Sequence, residues 1–282
     1  MKKIMLAMAV MALAVSLSAG VALAANVNCD SDLVALCVGT NDPDELEGED
    51  VNDGVGGRRD IIEGLRGSDG ADGNGGNDEI YGGKGRDGDA NVNDILDGGE
   101  GNDLVAGGPG SDVFVGGNSG EDTVLGGAGD DIDLQGSDGN DVVEGGSGDD
   151  EEVKGNDDDD TVKGGSGNDE EVDGGDGNDT VQGGSGDDGD GLQADGQLEG
   201  GTGINTVHGG DNNDRIDAND SLLALPGNPE EEEDIFGDDG DDIIEAVDGV
   251  VDNIDCGTGN DTVTFDDGVD VVDNNCENQF PV

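Results

Sequence analysis

Apolar residues recur through the middle of the chain in a pattern that predicts many short strands. In each repeat a single apolar residue stands between two other residues, and a run rich in Gly and Asp separates it from the next one. Because side chains along a strand point alternately to opposite faces, such a segment places one side chain inward and two outward. A strand this short is not stable alone, so the pattern requires many strands to stack and bury a continuous apolar column.

The Asp residues that end the Gly-rich runs give the period of this stack. Successive intervals alternate between 9 and 10 residues, which makes a structural period of 19 residues. The residues are Asp103, Asp112, Asp122, Asp131, Asp141, Asp150, Asp160, Asp169, Asp179 and Asp188. Two apolar sets keep the same period: Val105, Val124, Val143, Val162 and Val181, and Val115, Leu134, Val153 and Val172. Two registers that persist in this way predict two strands in each coil.

The composition of the Gly-rich runs suits a turn that holds a cation. The sequence reads GGEGNDLVA from Gly98, GGPGSDVFV from Gly107 and GGDGNDTVQ from Gly174. Gly permits positive φ and a turn free of side chains, which leaves backbone carbonyl oxygens accessible. Asp at the sixth position adds a carboxylate, the hard oxygen ligand that Ca²⁺ prefers.

These nonapeptides resemble the hemolysin-type, or RTX, calcium-binding repeat. The resemblance covers residues 73–217 and implies an all-β fold, a parallel β-roll (a calcium-bound β-solenoid) with Ca²⁺ as its cofactor. The usual coil of the family contains two nonapeptides, whereas this chain has 19 residues per coil, with the extra one always on the same side. A bulge beside the second strand is the simplest accommodation.

The resemblance also implies the ligands of each ion, which lies between loops of successive coils. One loop provides the carbonyls of its first and third positions and its Asp, and the neighbouring loop those of its second and fourth positions and its Asp. The implied sets are Gly107, Pro109 and Asp112 with Gly127, Gly129 and Asp131; Gly126, Ala128 and Asp131 with Gly146, Gly148 and Asp150; and Gly145, Ser147 and Asp150 with Gly165, Gly167 and Asp169. The remaining candidate ligands are Asp78, Asp87, Asp103, Asp122, Asp141, Asp160, Asp179, Asp188, Asp214 and Asp242. The loops ending at Asp122, Asp141 and Asp160 are degenerate, so we expect them to bind more weakly.

The chain divides into five predicted segments. Residues 1–24 look like a signal peptide for the general secretory route, with Lys2 and Lys3 before an apolar run and Ala22-Leu23-Ala24 as the cleavage site. An uncleaved membrane anchor is the alternative reading. We expect an N-terminal capping region at 25–72, the β-roll at 73–217, an acidic loop at 218–234, and the last repeats with a cysteine-closed cap at 235–282.

The chain has 4 cysteines, and secretion favours disulfides over thiolate metal sites. Three pairings are possible. We favour the local pairs Cys29–Cys37 and Cys256–Cys276, because repeat arrays need protected ends and these pairs give the roll disulfide-closed ends.

Charge and composition restrict the function. The chain has 72 acidic and 10 basic residues, a formal net charge of −62, and 2% aromatic residues. This charge excludes nucleic acid and anionic membranes as partners and favours cations, or a cationic surface of a cell or matrix. By charge alone the chain would be disordered, but disorder needs no apolar register.

Motifs for catalysis are missing from the sequence. It contains no G-x-S-x-G or H-E-x-x-H motif, and His208 is the only histidine. We therefore expect a secreted calcium-binding repeat protein with a structural, adhesive or matrix role, and not an enzyme. A disordered acidic polymer that buffers cations or binds mineral, and an enzyme with an unseen site or an accessory module of one, are the alternatives.

Overall fold

A computed structural model describes residues 26–28, 36–38, 45–47, 59–67, 69–85, 95–189, 197–219 and 232–282. Within these ranges the chain forms a right-to-left stack of short parallel strands, arranged in two large sheets that face each other and one small sheet. No helix occurs in the described ranges. In particular, none of these residues form a helix long and apolar enough to cross a membrane.

Sheet A contains 13 of the described strands. They are β1 Asn26–Asn28, β3 Glu45–Glu47, β6 Gly70–Asp72, β9 Leu96–Glu100, β11 Val115–Ser119, β13 Asp133–Asp138, β15 Glu152–Asp157, β17 Glu171–Asp176, β19 Leu198–Thr202, β21 Arg215–Asp217, β23 Ile243–Ala246, β25 Thr262–Phe265 and β27 Asn278–Pro281.

Sheet B contains 12 of the described strands, and a further pair forms a 2-stranded sheet. Sheet B consists of β2 Leu36–Val38, β4 Ile61–Glu63, β7 Glu79–Tyr81, β10 Leu104–Pro109, β12 Thr123–Ala128, β14 Val142–Ser147, β16 Thr161–Ser166, β18 Thr180–Ser185, β20 Thr206–Asp211, β22 Asp234–Asp239, β24 Asn253–Asp255 and β26 Val271–Val272. The small sheet pairs β5 Arg66–Gly67 with β8 Lys84–Gly85.

The chain alternates between the two large sheets, so each strand pairs in parallel with its counterpart one coil later. In sheet B, Val105 pairs with Val124, and in sheet A, Val115 pairs with Leu134. Both steps are 19 residues long, as the apolar spacing predicts. The predicted all-β parallel solenoid with two strands per coil is therefore confirmed.

The core is a double column of single side chains, one from each strand. The inward residue of each central strand is fully or almost fully buried. Sheet B contributes Ile62, Ile80, Val105, Val124, Val143, Val162, Val181, Val207, Ile235 and Ile254, and sheet A contributes Leu46, Ala71, Leu96, Val115, Leu134, Val153, Val172, Leu198, Ile216, Ile244 and Val263. Each such residue buries little area alone, so the fold depends on the stack of coils.

The extra residue of each coil lies ahead of the strand in sheet A and not within it. Strands β13, β15 and β17 pair residue for residue. Ile132, Glu151 and Glu170 form a step between the loop Asp and the strand, and the amide of Glu151 donates to the carbonyl of Asp131 at 2.8 Å. The additional residue therefore changes the position of the corner without disturbing the ladder.

Some coils are longer than 19 residues. The ladder steps from Asp78 to Asp103, from Asp188 to Asp214 and from Asp214 to Asp242 span 25, 26 and 28 residues. Parts of these coils, including most of the predicted acidic loop at 218–234, lie outside the described residues, as do residues 1–24. The strands at both ends of the chain continue sheets A and B, so the segments predicted as caps contain coils of the same stack.

One predicted disulfide is confirmed at the C-terminal end. Cys256 and Cys276 form a bond across a sequence separation of 20 residues, with their Cα atoms 5.2 Å apart. It ties the coil of β24 to the last turn of the stack. Cys37 is also disulfide-bonded, but Cys29 lies outside the described residues, so the predicted Cys29–Cys37 pairing stays a prediction.

Candidate metal-binding edges

The Gly-rich runs form the corners of the roll and stack into two rows. Loops that lead from sheet B to sheet A lie on one side, which we call the Asp112 edge: residues 107–112, 126–131, 145–150, 164–169 and 183–188. Loops that lead from sheet A to sheet B form the Asp103 edge: residues 98–103, 117–122, 136–141, 155–160 and 174–179. The degenerate loops therefore all belong to the Asp103 edge.

The sixth-position Asp of every described loop points into the corner and is only 0 to 4% exposed. Its Oδ1 accepts a hydrogen bond from the backbone amide of the corresponding Asp one coil earlier. On the Asp112 edge this row connects Asp112, Asp131, Asp150, Asp169, Asp188, Asp214, Asp242 and Asp261 at 2.7 to 3.0 Å. On the Asp103 edge it connects Asp60, Asp78, Asp103, Asp122, Asp141, Asp160 and Asp179 at 2.6 to 2.7 Å.

The second carboxylate oxygen of these residues is buried and makes no hydrogen bond to any described residue. This holds for Oδ2 of Asp78, Asp103, Asp122, Asp131, Asp141, Asp150, Asp160, Asp169, Asp179, Asp188, Asp214, Asp242 and Asp261. A buried polar atom without a partner is costly, and a buried charge more so. A regular row of such oxygens fits bound divalent cations, which would supply the missing interaction.

The same burial raises the pKa of these carboxyls. Desolvation is the largest cause at every position, neighbouring Asp residues add to it, and the hydrogen bond from the preceding amide opposes it. The pKa rises to about 8 for Asp150, Asp160 and Asp214. It rises to about 7 for Asp78, Asp188 and Asp242, and to about 6 for Asp103, Asp122, Asp131, Asp141, Asp169 and Asp179. Without a cation the ionised edges are therefore unfavourable near neutral pH.

The first glycine of each loop leaves the room that the carboxylate occupies. A Cβ atom on Gly126 would lie 2.3 Å from Oδ2 of Asp131 and 2.6 Å from the carbonyl oxygen of Gly145. A Cβ on Gly145 would meet Asp150 at 2.3 Å and the Gly164 carbonyl at 2.6 Å. The Asp oxygen of one loop and the first carbonyl of the next loop thus converge at one point, which only glycine keeps open.

The loop carbonyls have a fixed direction along the stack. Those of the first and third positions point to the preceding coil: the Gly83 amide donates to Gly107 at 3.0 Å, and the Gly110 amide to Ala128 at 2.8 Å. Those of the second and fourth positions point to the following coil, because the carbonyl oxygens of Gly108 and Gly110 crowd the Cβ positions of the glycines one coil later. The implied ligand sets assume the opposite direction for each loop.

The degenerate loops keep the conformation of the intact ones. The second position of an intact loop has φ between 108° and 120° at Gly108, Gly127, Gly146, Gly165 and Gly184. In the degenerate loops Asn118, Ser137 and Asn156 occupy this position at φ of 74°, 90° and 85°, and Asp158 has a φ of 77°. Positive φ is unfavourable for residues with a Cβ, so the Asp103 edge carries backbone strain that the Asp112 edge avoids.

The structure places most of the predicted Asp ligands in the two rows. Asp87 lies outside the described residues, and Asp214 and Asp242 extend the Asp112 edge. Sequence reasoning missed several members of the rows, namely Asp60, Asp69, Asp252 and Asp261, which are also buried. Their signal was the apolar residue two positions later, which persists although the glycines are lost. The described residues include no group of three or more His, Cys, Asp or Glu side chains that could hold a metal ion by themselves.

The Asp103 edge changes character at Asn205, which occupies an Asp position. Its Oδ1 accepts the amide of Asp179 at 2.8 Å, as an Asp would. Its Nδ2 donates to the Gly201 carbonyl at 3.0 Å and to Oε1 of Glu233 at 3.1 Å. An amide donor therefore replaces the bare oxygen of the other loops, and this corner is held by protein groups alone.

One comparison with known proteins identifies the repeats. The family model of the RTX calcium-binding nonapeptide repeat, which describes 4 copies, matches residues 55–88, 91–118, 133–151, 169–189 and 190–221. These segments cover just under half of the chain and include loops of both edges. No curated protein matches the chain.

Proposed function

We propose that this chain, which carries RTX calcium-binding repeats, is an extracellular structural protein whose roll folds when Ca²⁺ binds along its edges. The observation that carries the proposal is the row of buried Oδ2 atoms without hydrogen bonds to described residues. Calcium neutralises the carboxylates and offsets their desolvation, so the binding free energy becomes folding free energy.

The direction of the carbonyls supports one ligand set for each ion. The earlier loop contributes its second and fourth carbonyls and its Asp, and the later loop contributes its first and third carbonyls and its Asp. For the central site these are Gly127, Gly129 and Asp131 with Gly145, Ser147 and Asp150. The convergence of Asp131 Oδ2 and the Gly145 carbonyl supports this assignment. Six oxygens on adaptable loops suit Ca²⁺ better than Mg²⁺, which requires a near-ideal octahedron.

A location outside the cell follows from the N-terminal sequence and the chemistry of the sites. The signal-like residues 1–24 direct export, and extracellular calcium modules typically bind at about 10⁻⁴ to 10⁻³ M. Since an RTX solenoid is a structural calcium-binding fold, we assign the chain no catalytic role. A regular rod outside the cell suits an adhesive or matrix component.

The alternative of a disordered acidic polymer is less well supported. A polymer that binds cations by charge alone needs no buried apolar column, whereas this chain keeps one in register through both sheets. The alternation of Asp and Val at fixed offsets serves a folded edge and has no purpose in a random coil.

Two measurements on the exported protein test the proposal. Mass spectrometry of protein secreted from a host with a general secretory pathway should give a chain that starts at Ala25, and equilibrium dialysis with ⁴⁵Ca²⁺ should give several bound ions per chain. A chain that keeps residues 1–24 and stays in the cell would refute the location. Binding of fewer than two ions at 10 mM Ca²⁺ would refute calcium loading of the edges.

A further inference from the structure

The outward face of sheet B carries almost no charge, although the chain has a formal net charge of −62. Its central strands read LVAGGP, TVLGGA, VVEGGS, TVKGGS and TVQGGS. The two charged residues in them, Glu144 and Lys163, form a salt bridge of 2.7 Å. Strands β13, β15 and β17 of sheet A instead carry, beside Lys154, the acids Asp133, Asp138, Glu152, Asp157, Glu171, Asp173 and Asp176.

The N-terminal end of the sheet B face is basic. Arg66 and Lys84 are register partners in the small sheet and are both exposed. Neither forms a salt bridge with another described residue. They line a groove of about 520 Å³ together with Glu63, Leu65, Tyr81 and Pro109. The groove therefore combines a net positive charge with exposed apolar surface.

The C-terminal end of the same face is acidic. A second groove, of about 440 Å³, is lined by Asp211, Phe236, Asp238, Asp239 and Asp255. The Phe236 ring stacks on His208 with ring centroids 4.5 Å apart, and Nδ1 of His208 lies 2.9 Å from Asp238. The face thus runs from a basic groove with an aromatic ring, through a neutral centre, to an acidic groove with an aromatic ring.

We infer that sheet B is the interface of a homodimer in which two rolls pack face to face and antiparallel. A two-fold axis parallel to the strands, between β14 and β16, lies at the middle of the 12-stranded order of sheet B. Rotation about it places β7 over β22 of the second copy. Tyr81 then meets Phe236 of the second copy, and Lys84 meets Asp239 of the second copy, so both grooves gain a partner of opposite charge.

The charge distribution favours this arrangement over the others. Sheet A against sheet A would oppose two acidic faces, and parallel rolls would place acidic groove on acidic groove. In the antiparallel pair the interface is isologous, as in most homodimers. Strands about 20 Å long and stacked at about 4.8 Å give a face of about 900 Å² per copy for the ten strands β4 to β24. A stable interface needs about 800 Å² per partner.

The dimer rests on the calcium-loaded fold proposed above, and its test separates the two. Sedimentation equilibrium in 5 mM Ca²⁺ and 0.15 M NaCl gives the mass, while circular dichroism of the same samples reports folding. We expect a folded dimer. Leu125→Glu places a charge on the centre of the sheet B face and should weaken the dimer at least ten-fold. Gln135→Glu places the same charge at the equivalent position of sheet A and should leave the dimer unchanged.

A mixing experiment tests the antiparallel orientation. Lys84→Glu and Asp239→Lys should each weaken the homodimer at least ten-fold, because each brings like charges together. An equimolar mixture of the two variants should recover the dimer, since every basic groove then meets an acidic one.

Three outcomes overturn the inference. A folded wild-type chain that stays monomeric at 100 µM removes the dimer and leaves the calcium fold intact. Equal effects of Leu125→Glu and Gln135→Glu, or no recovery in the mixture, remove the proposed face or its orientation. A chain that stays unfolded in calcium overturns both the dimer and the proposed function.

Discussion

The backbone amide of Asp131 donates a hydrogen bond of 2.8 Å to Oδ1 of Asp150, which lies 19 residues later in the chain. Oδ2 of Asp150 is buried without a hydrogen bond to any described residue. Burial, the largest cause, together with the charges of Asp169 and Asp131, raises the pKa of this carboxyl to about 8. One side chain therefore ties two coils together and directs its other oxygen towards the place where a cation is required.

Replacing Asp150 should damage two calcium sites at once. Asp150→Ala removes a ligand shared by neighbouring sites and leaves the buried amide of Asp131 without an acceptor, which costs about 1 to 3 kcal/mol. We expect a lower Tm in calcium and a higher calcium midpoint. Asp149→Ala is the matched control, because Asp149 is exposed and should change neither value by much. Equal effects of the two variants would show that the buried row holds no ions.

The two edges should differ in their contribution to binding. Asp160 occupies the same position as Asp150, but its loop carries Asn156 and Asp158 at positive φ. We expect Asp160→Ala to raise the calcium midpoint less than Asp150→Ala, because strain weakens the site that it removes. Isothermal calorimetry on both variants gives the comparison. An equal loss of affinity would contradict the ranking of the edges.

The backbone strain itself can be tested at matched positions of the two edges. Ser137 has a φ of 90° at the second position of its loop, and Gly146 has a φ of 113° at the equivalent position. Ser137→Gly should raise the free energy of unfolding by about 0.5 to 1 kcal/mol. Gly146→Ser should lower it by more, because a Cβ there would lie 2.2 Å from the Gly127 carbonyl oxygen. Chemical denaturation in calcium measures both, and the same sign for the two changes would contradict the assigned strain.

Removal of calcium should reverse the usual effect of acid. The folded pKa values of Asp150 and Asp160, about 8, lie above the ordinary value of 3.8, so folding favours their protonated forms. This contribution to stability is fully present below pH about 4 and is lost as the pH rises through 6 to 8. A calcium-stripped sample should therefore gain β-structure on acidification, as circular dichroism would show. Loss of structure between pH 7 and pH 4 would contradict the raised pKa values.

The acidic ladder on sheet A should be a burden on stability and not a calcium site. Glu152 and Glu171 are register partners, and the ammonium of Lys154 lies 3.1 Å from the first and 3.0 Å from the second. Glu151 and Glu170 are the extra residues that precede them. Changing all four acids to Gln should raise stability by about 0.5 to 1 kcal/mol at unchanged calcium stoichiometry, because stacked like charges repel. Loss of bound ions in this variant would instead assign cations to this face.

The sequence predicts the coil well because two independent signals repeat together. Val105 and Val124 keep the core register, and Asp112 and Asp131 keep the corner register, so an error in either would conflict with the other. The direction of the loop carbonyls escaped this reasoning, because it depends on the path of the backbone through the stack and leaves no trace in residue identity. Asp252 and Asp261 escaped it because their glycines had been replaced while the Asp itself was retained.

The position of Asn205 illustrates the opposite limit. As a residue type it reads as a small deviation from Asp, yet its amide donates to Gly201 and to Glu233, a residue 28 positions later. That contact crosses a chain segment whose length breaks the period, so no local pattern could have paired the two residues. Residues that keep the period are thus predictable from sequence, whereas those that compensate for its interruptions are not.

The most direct test of calcium-dependent folding is a far-ultraviolet circular dichroism titration of the chelated chain at pH 7.5 with CaCl₂, and with MgCl₂ as the control. The buried, unpaired carboxylates should keep the metal-free chain unfolded, so the account predicts a disordered spectrum in chelator and in Mg²⁺. It predicts a cooperative gain of β-structure with a midpoint of about 10⁻⁴ to 10⁻³ M Ca²⁺. A β-sheet spectrum that persists in chelator at this pH and does not change on addition of calcium would contradict it.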